Sequence, residues 1–295
     1  MLSRRGARGT TLVELLAVLV LLALVAAAIM RVTVGEQRFV DAVGRVIEAR
    51  RAVLEGADIP RRDLREIAAA SGGIYAMAAD MVESRSPIGT SVICEVDSAR
   101  TGVSIPGRDS WSALTSWVAS PRQGDTVLVL DVASDSVPPV WRPHALAVDP
   151  LAGGICPVSS GLARSPADEA AALRLRLTPP LEPTIGPGAA LRFVRRTRYQ
   201  LYRAGDGRWY LGYQDCLATR AVPCGTIQPV SGPYSAAGIR FVFSDRAGAE
   251  TSDPASVARI DVVSRATSGL PLRAAGFAQG IYSDSIVASI ALRNR

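Results

Sequence analysis

The chain contains no lysine; all 33 basic residues among its 295 are arginine. Exclusive arginine use reads as the codon bias of a GC-rich genome rather than as a binding signature. Histidine occurs once, at His144, which excludes most histidine-based triads and His-rich metal sites. The four cysteines (Cys94, Cys156, Cys216, Cys224) form no Cys-x-x-Cys pair and no Cys/His cluster, so no zinc site is expected. There is no phosphate-binding loop, dinucleotide fingerprint or EF-hand loop. Asp245, Glu250 and Asp253 share one loop, but their spacing is not that of a calcium loop, and they read as solvated loop formers. No catalytic constellation remains, so neither an enzyme nor a cofactor is expected.

Long apolar runs are equally scarce. There is one, and it opens the chain: MLSRRGARG, then TTLVELLAVLVLLALVAAAIM. Leu15 to Met30 carries no charge, and Thr10 to Met30 as a helix would span roughly 31 Å, the thickness of a hydrocarbon core. Glu14 breaks the run near its start. A carboxylate inside a membrane helix costs about 2.5–3.5 kcal/mol on insertion scales, so such a residue is read as functional. A secretory signal peptide places small residues after its apolar part. Ala26-Ala27-Ala28 is available, but such a peptide does not explain Glu14. The arginines before the helix hold the N-terminus in the cytoplasm, so the remainder faces outward.

The basic leader ending in Gly9, with an acid five residues on and an uninterrupted apolar helix, resembles the class III signal of type IV pilins and type II secretion pseudopilins. The resemblance implies cleavage by a prepilin peptidase between Gly9 and Thr10, methylation of the new N-terminus, and retention of the helix. That family usually begins its mature chain with Phe; here the residue is Thr10. The new amine lies four residues before Glu14, on the same helix face. In lipid an amine and a carboxylate are far less costly together than apart. The pair forms within one chain or between Glu14 of one subunit and Thr10 of the next; the resemblance favours the second. The simpler alternative is a signal anchor whose Glu14 snorkels to the interface. Without the leader's three arginines the net charge falls from +6 to about +3, a weak argument for an anionic partner.

An even cysteine count in an exported domain favours disulfides. Of the three possible connectivities, the preferred one closes Cys216 to Cys224 across a short segment containing Pro223. It leaves Cys94 for Cys156.

From Glu36 to Leu54, apolar residues at Phe39, Val43, Val46, Ile47, Val53 and Leu54 recur with helical spacing, and Gly56 and Pro60 are expected to end that helix. One or two short helices are expected from Asp63 to Ser84, interrupted at Gly72-Gly73. Strands follow: 126–130, 172–177, 191–202 and 209–213 around the Gly205-Asp206-Gly207 turn, then 239–243, 259–263 and 285–292. Stretches 137–143 and 179–188 read as loops. The succession over 190–295, closing in LRNR, resembles PilW-type minor pilins and, more loosely, a minor pseudopilin of type II secretion. The expected plan is a leader (1–9), a transmembrane helix (10–34), its amphipathic extension (35–58) and an α+β head (59–295). The head divides into a variable region (85–185) and a PilW-like antiparallel sheet (190–295).

The resemblance implies a minor filament subunit that primes assembly or sits at the tip. It would be held in the inner membrane by a single span, with its head in the periplasm and later at the cell surface. Its implied partners are other pilins or pseudopilins, the peptidase and the inner-membrane assembly platform. A second reading is a tip adhesin or DNA-uptake subunit. Arg192, Arg196 and Arg198 share one strand face with Gln200 and Tyr202, and arginine beside an exposed aromatic suits phosphate and a stacked base. A solvated polar sheet face is the preferred explanation of that patch.

Overall fold

The computed structural model describes residues 11–69, 72–132, 138–216, 224–274, 276 and 279–292. Two compact units divide the chain. One takes the residues up to Arg51 with Ala266–Asp284; the other takes Ala52–Arg265 with the chain from Ser285.

The first element is a 53-residue helix, α1 (Leu12–Leu64). It does not stop at Gly56 or Pro60. Pro60 lacks the N–H that would have met the Gly56 carbonyl, and its ring crowds that carbonyl, yet the helix continues through it. The turn beyond it is held from outside. Leu64 is fully buried, and Asp63 accepts hydrogen bonds from Tyr199 Oη (2.7 Å) and Ser86 Oγ (3.3 Å). Tertiary packing therefore extends the helix past the local stop signal.

No helix follows between Gly72 and Ser84. The chain instead forms a hairpin of β1 (Ile74–Ala78) and β2 (Met81–Val92), with Ala78 opposite Met81. The alanines of this stretch favour helix, but β2 finds a full-length partner more than a hundred residues away, and pairing outweighs propensity.

The remaining strands are β3 (Glu95–Val96), β4 (Gly102–Ile105), β5 (Ser116–Trp117), β6 (Thr126–Asp131), β7 (Val140–Leu146), β8 (Leu151–Ala152), β9 (Leu173–Thr178), β10 (Ala190–Arg203), β11 (Trp209–Cys216), β12 (Gln228–Tyr234), β13 (Ile239–Ser244), β14 (Arg259–Thr267) and β15 (Ser283–Ala291). A one-turn helix, α2 (Pro166–Ala170), is capped by Ser165. Among the described residues, twelve strands form one sheet in the order β1-β2-β10-β6-β7-β9-β4-β3. On this sheet β11 joins β10 and β12, β5 joins β2, and β8 joins β9. Its pairs are antiparallel. A separate three-stranded sheet runs β13-β14-β15.

β10 is the hub. It pairs with β2 along most of its length, with β6 over Leu191–Val194 and with β11 over Arg196–Arg203. The expected break near residue 185 is therefore not a structural boundary: strands from both sides of it share one sheet. The expected loop at 137–143 likewise gives way to β7 from Val140. Pro143 is tolerated there because it faces Leu128 on β6, while β9 reaches β7 only at Ala145 and Leu146. The core of this sheet is aliphatic, with Ile93, Val127, Leu175, Leu191 and Phe193 at its centre. Cys94 pairs with Cys156, and Cys216 with Cys224. The first pair packs against Ala163 and Ala172.

Candidate functional site in the N-terminal helix

α1 begins with a reciprocal cap. The Thr11 N–H donates to Glu14 Oε2 (3.0 Å), and the Glu14 N–H donates to Thr11 Oγ1 (3.3 Å). This is a capping box, in which two of the N–H groups with no intrahelical partner are satisfied by each other's residue. The Thr-x-x-Glu pattern that marks such a cap is present in the sequence at Thr11 to Glu14. Gly9 and Thr10, the expected cleavage residues, lie outside the described residues.

Beyond the cap, Leu12, Leu16, Leu19, Leu22 and Ile29 are all more than half exposed, and the exposed apolar band continues to Val34. This one helix is long and apolar enough to cross a membrane. In the following stretch the side chains divide differently from expectation. The buried positions are mostly small: Ala42, Ala49, Ala52, Gly56 and Ala57, with Val53, Pro60 and Leu64. Of the large residues expected to face the head, only Val53 is buried, while Phe39, Ile47 and Leu54 are exposed. Small residues let a helix approach its support closely. Val40, Ile47 and Leu54 recur at intervals of seven and are 66%, 60% and 51% exposed, Leu54 in a groove it shares with Val230, Ile286 and Ala288.

Within the large unit, the end of α1 from Ala52 is held by polar contacts. The Tyr234 hydroxyl donates to the Ala52 carbonyl (2.6 Å) and pairs with Ser231 Oγ (2.7 Å). A Cβ on Gly56 would overlap that same hydroxyl. Burial raises the Tyr234 hydroxyl to about 12. Burial also raises Asp63 above the ordinary carboxyl value, against the lowering effect of Tyr199 and Ser86. The Tyr199 hydroxyl is driven up by its own burial and by the Asp63 charge. The sequence marks Gly56 only as a helix stop, and the contacts of Tyr234, Asp63 and Tyr199 were not legible because their partners are distant in the chain.

The arginine patch of β10 is largely taken up internally. Glu83 is almost fully buried, and its carboxylate accepts from Arg196 and from Arg198 Nε (3.0 Å) and Nη2 (2.6 Å). Arg196 also lies over the Tyr75 ring (4.6 Å), and Arg192 over Trp141 (4.4 Å). Tyr202 faces Tyr210, with ring centres 6.4 Å apart. Arg195, pointing inward, is held bidentately by Asp125 (2.9 and 2.8 Å) and also donates to the Ser120 carbonyl. The hydrogen bonds that it donates to Asp125 raise its pKa despite burial. Such pairs satisfy buried charge and need no outside ligand.

Among the described residues, one group of three potential metal ligands is close enough to share an ion: Glu83, Cys216 and Cys224. Both sulfurs are in the disulfide and the carboxylate is held by two guanidinium groups, so no thiolate is available to a metal. In the 245–253 loop, Asp245 Oδ1 accepts from the N–H groups of Ala247 and Ala249, and Asp253 Oδ1 from that of Ala255. These acids shape turns, as expected of loop formers.

The chain matches no family model, no curated protein and no solved structure.

Proposed function

We propose that this chain is a minor pilin-like subunit, processed by a prepilin peptidase between Gly9 and Thr10 and incorporated through α1 into a type IV pilus-like filament. One observation carries the reading: beyond the exposed apolar band that ends at Val34, α1 keeps further large apolar residues exposed at Phe39, Val40, Ile47 and Leu54. From Leu12 to Leu54 the helix rises about 63 Å, roughly twice a hydrocarbon core. Lipid covers the first half. Val40, Ile47 and Leu54 lie beyond it and are exposed, where neighbouring helices of the same kind would cover them. A plain signal anchor has no use for that second band. Glu14 fits the same reading: one carboxylate has acceptor capacity for both the Thr11 N–H and the amine of an adjacent subunit.

The geometry serves a type II secretion pseudopilin equally well, and gene neighbours (retraction and competence genes, or secretin and exoprotein genes) separate the two. The test of the class is the mature N-terminus, measured by mass spectrometry with and without a co-expressed prepilin peptidase. The expected result is a start at Thr10 only when the peptidase is present. Met1 retained in both samples means a simple anchor. A start near Val32 means a cleaved signal peptide, and either result overturns the proposal.

A further inference from the structure

Arg31, Arg38 and Arg45 are spaced by seven, so they follow one face of α1 with a drift of about 20° per interval. Arg31 is the first charge after the apolar run. Arg38 and Arg45, with Asp41 and Ala42, form one wall of an open groove of about 340 Å³. The opposite wall is the segment Leu270–Arg273. That segment is well held. The Leu272 N–H donates to the Gly280 carbonyl (2.8 Å), Ser268 N–H to the Tyr282 carbonyl (2.9 Å), and Ser268 Oγ to the Leu270 carbonyl (2.8 Å).

Three guanidinium groups thus line one groove against a single carboxylate, Asp41. Among the described residues, Arg38, Arg45 and Arg273 make no ion pair, unlike Arg195, Arg196 and Arg198. Positive charge gathered in excess of its counter-charge is the signature of an anion site, and arginine's planar fork matches phosphate oxygens. The rest of the lining is apolar: Ala42, Leu270, Pro271 and Leu272.

Position selects the ligand. Arg38 lies about 12 Å along the axis from Met30, the last residue of the charge-free run, and the headgroup zone of one leaflet is about 5–8 Å deep. Helical side chains slant toward the N-terminus, which brings the Arg38 guanidinium back toward that zone. We infer that this groove binds the phosphodiester of an anionic phospholipid in the leaflet on the head side. Arg38, Arg45 and Arg273 hold the phosphate, and the apolar wall lies against the glycerol. The inference rests on α1 crossing a membrane, not on filament assembly.

The full chain would be reconstituted in phosphatidylcholine vesicles with or without phosphatidylglycerol, and retained lipid read by native mass spectrometry. Arg38→Gln/Arg45→Gln/Arg273→Gln would be compared with a charge-matched control, Arg192→Gln/Arg240→Gln/Arg246→Gln. Wild type and control are expected to prefer phosphatidylglycerol about tenfold, and the groove variant to lose that preference. Arg273→Gln alone, in an exposed segment, should show a partial loss without risk to the fold. An undiminished preference in the groove variant would overturn the inference, as would displacement of the lipid by millimolar inorganic phosphate, which would indicate a free-anion site. Failure of the chain to insert into vesicles at all would also remove the membrane reading on which it stands.

Discussion

The Tyr199 hydroxyl donates a 2.7 Å hydrogen bond to Oδ2 of Asp63, joining the last turn of α1 to the hub strand β10. The two residues are 136 positions apart. Ser86 of β2 donates to the same carboxylate and also pairs with Thr197 (2.6 Å). One acid on the helix is thus bound to both central strands.

This acid gives stability an unusual pH slope. Burial outweighs the two hydrogen bonds and raises Asp63 above its ordinary 3.8. The native state therefore keeps the proton to higher pH than the unfolded chain. The stabilisation from that proton is complete below the unfolded value and is lost as pH rises through the raised folded value. Asp63→Asn keeps an acceptor for Tyr199 without the charge. The melting temperature of the wild-type chain should fall relative to Asp63→Asn between about pH 3 and about pH 7. A constant difference across that range would show that the carboxyl titrates as in the unfolded chain.

Gly56 and Tyr234 should be energetically coupled. Glycine is normally a liability inside a helix, and alanine improves it by about 1 kcal/mol. Here the added methyl meets the Tyr234 hydroxyl, Ser264 Oγ and the Ile239 side chain, so Gly56→Ala should instead destabilise by about 1–3 kcal/mol. Tyr234→Phe removes one of the three obstacles together with the bond to the Ala52 carbonyl. In a double-mutant cycle by urea unfolding, the pair should cost less than the sum of the singles by at least about 0.5 kcal/mol. Strict additivity would mean that α1 shifts away from the head at no cost.

These contacts mark the limit of what the sequence discloses. The hairpin of β10 and β11 was legible because Gly205-Asp206-Gly207 is a local signal flanked by alternating residues. β6, β9, β13, β14 and β15 were legible for similar reasons, and the cysteine pairing followed from spacing and parity. The helix end, the β1–β2 hairpin and β7 were not. In each, a local cue (Pro60, an alanine-rich stretch, Pro143) is overridden by partners from distant sequence. Arg195 and Glu83 illustrate the same limit at the site. Alternation correctly places Arg196 and Arg198 on the polar side of β10, but only the fold shows that buried Glu83 occupies both. Phe39, Ile47 and Leu54 read as an ordinary amphipathic face until the structure shows alanines taking the buried positions instead.

The two disulfides should differ in worth. Cys94–Cys156 spans 62 residues and Cys216–Cys224 spans 8. On the loop-closure model, removing the first by Cys94→Ala/Cys156→Ala should cost about 4 kcal/mol, and removing the second by Cys216→Ala/Cys224→Ala about 2.5 kcal/mol. Urea unfolding of both double variants against the oxidised wild type measures this order. A reversed order would indicate that the short loop restrains the native state through its place beside Glu83 rather than the unfolded chain.

Glu14 carries two separable roles, and two substitutions distinguish them. As the third residue of the helix it caps Thr11, a role glutamine fills as well. As a carboxylate in lipid it can neutralise a neighbour's amine, which glutamine cannot do. Glu14→Ala loses both roles and should fray the first turn at a cost of about 1 kcal/mol; Glu14→Gln loses only the charge. If subunits register through charge, both variants should insert and be processed, and neither should be recovered in sheared filaments. Recovery of Glu14→Gln at the wild-type level, with Glu14→Ala absent, would reduce Glu14 to a helix cap. The stagger between subunits would then rest on the Val40, Ile47 and Leu54 band alone.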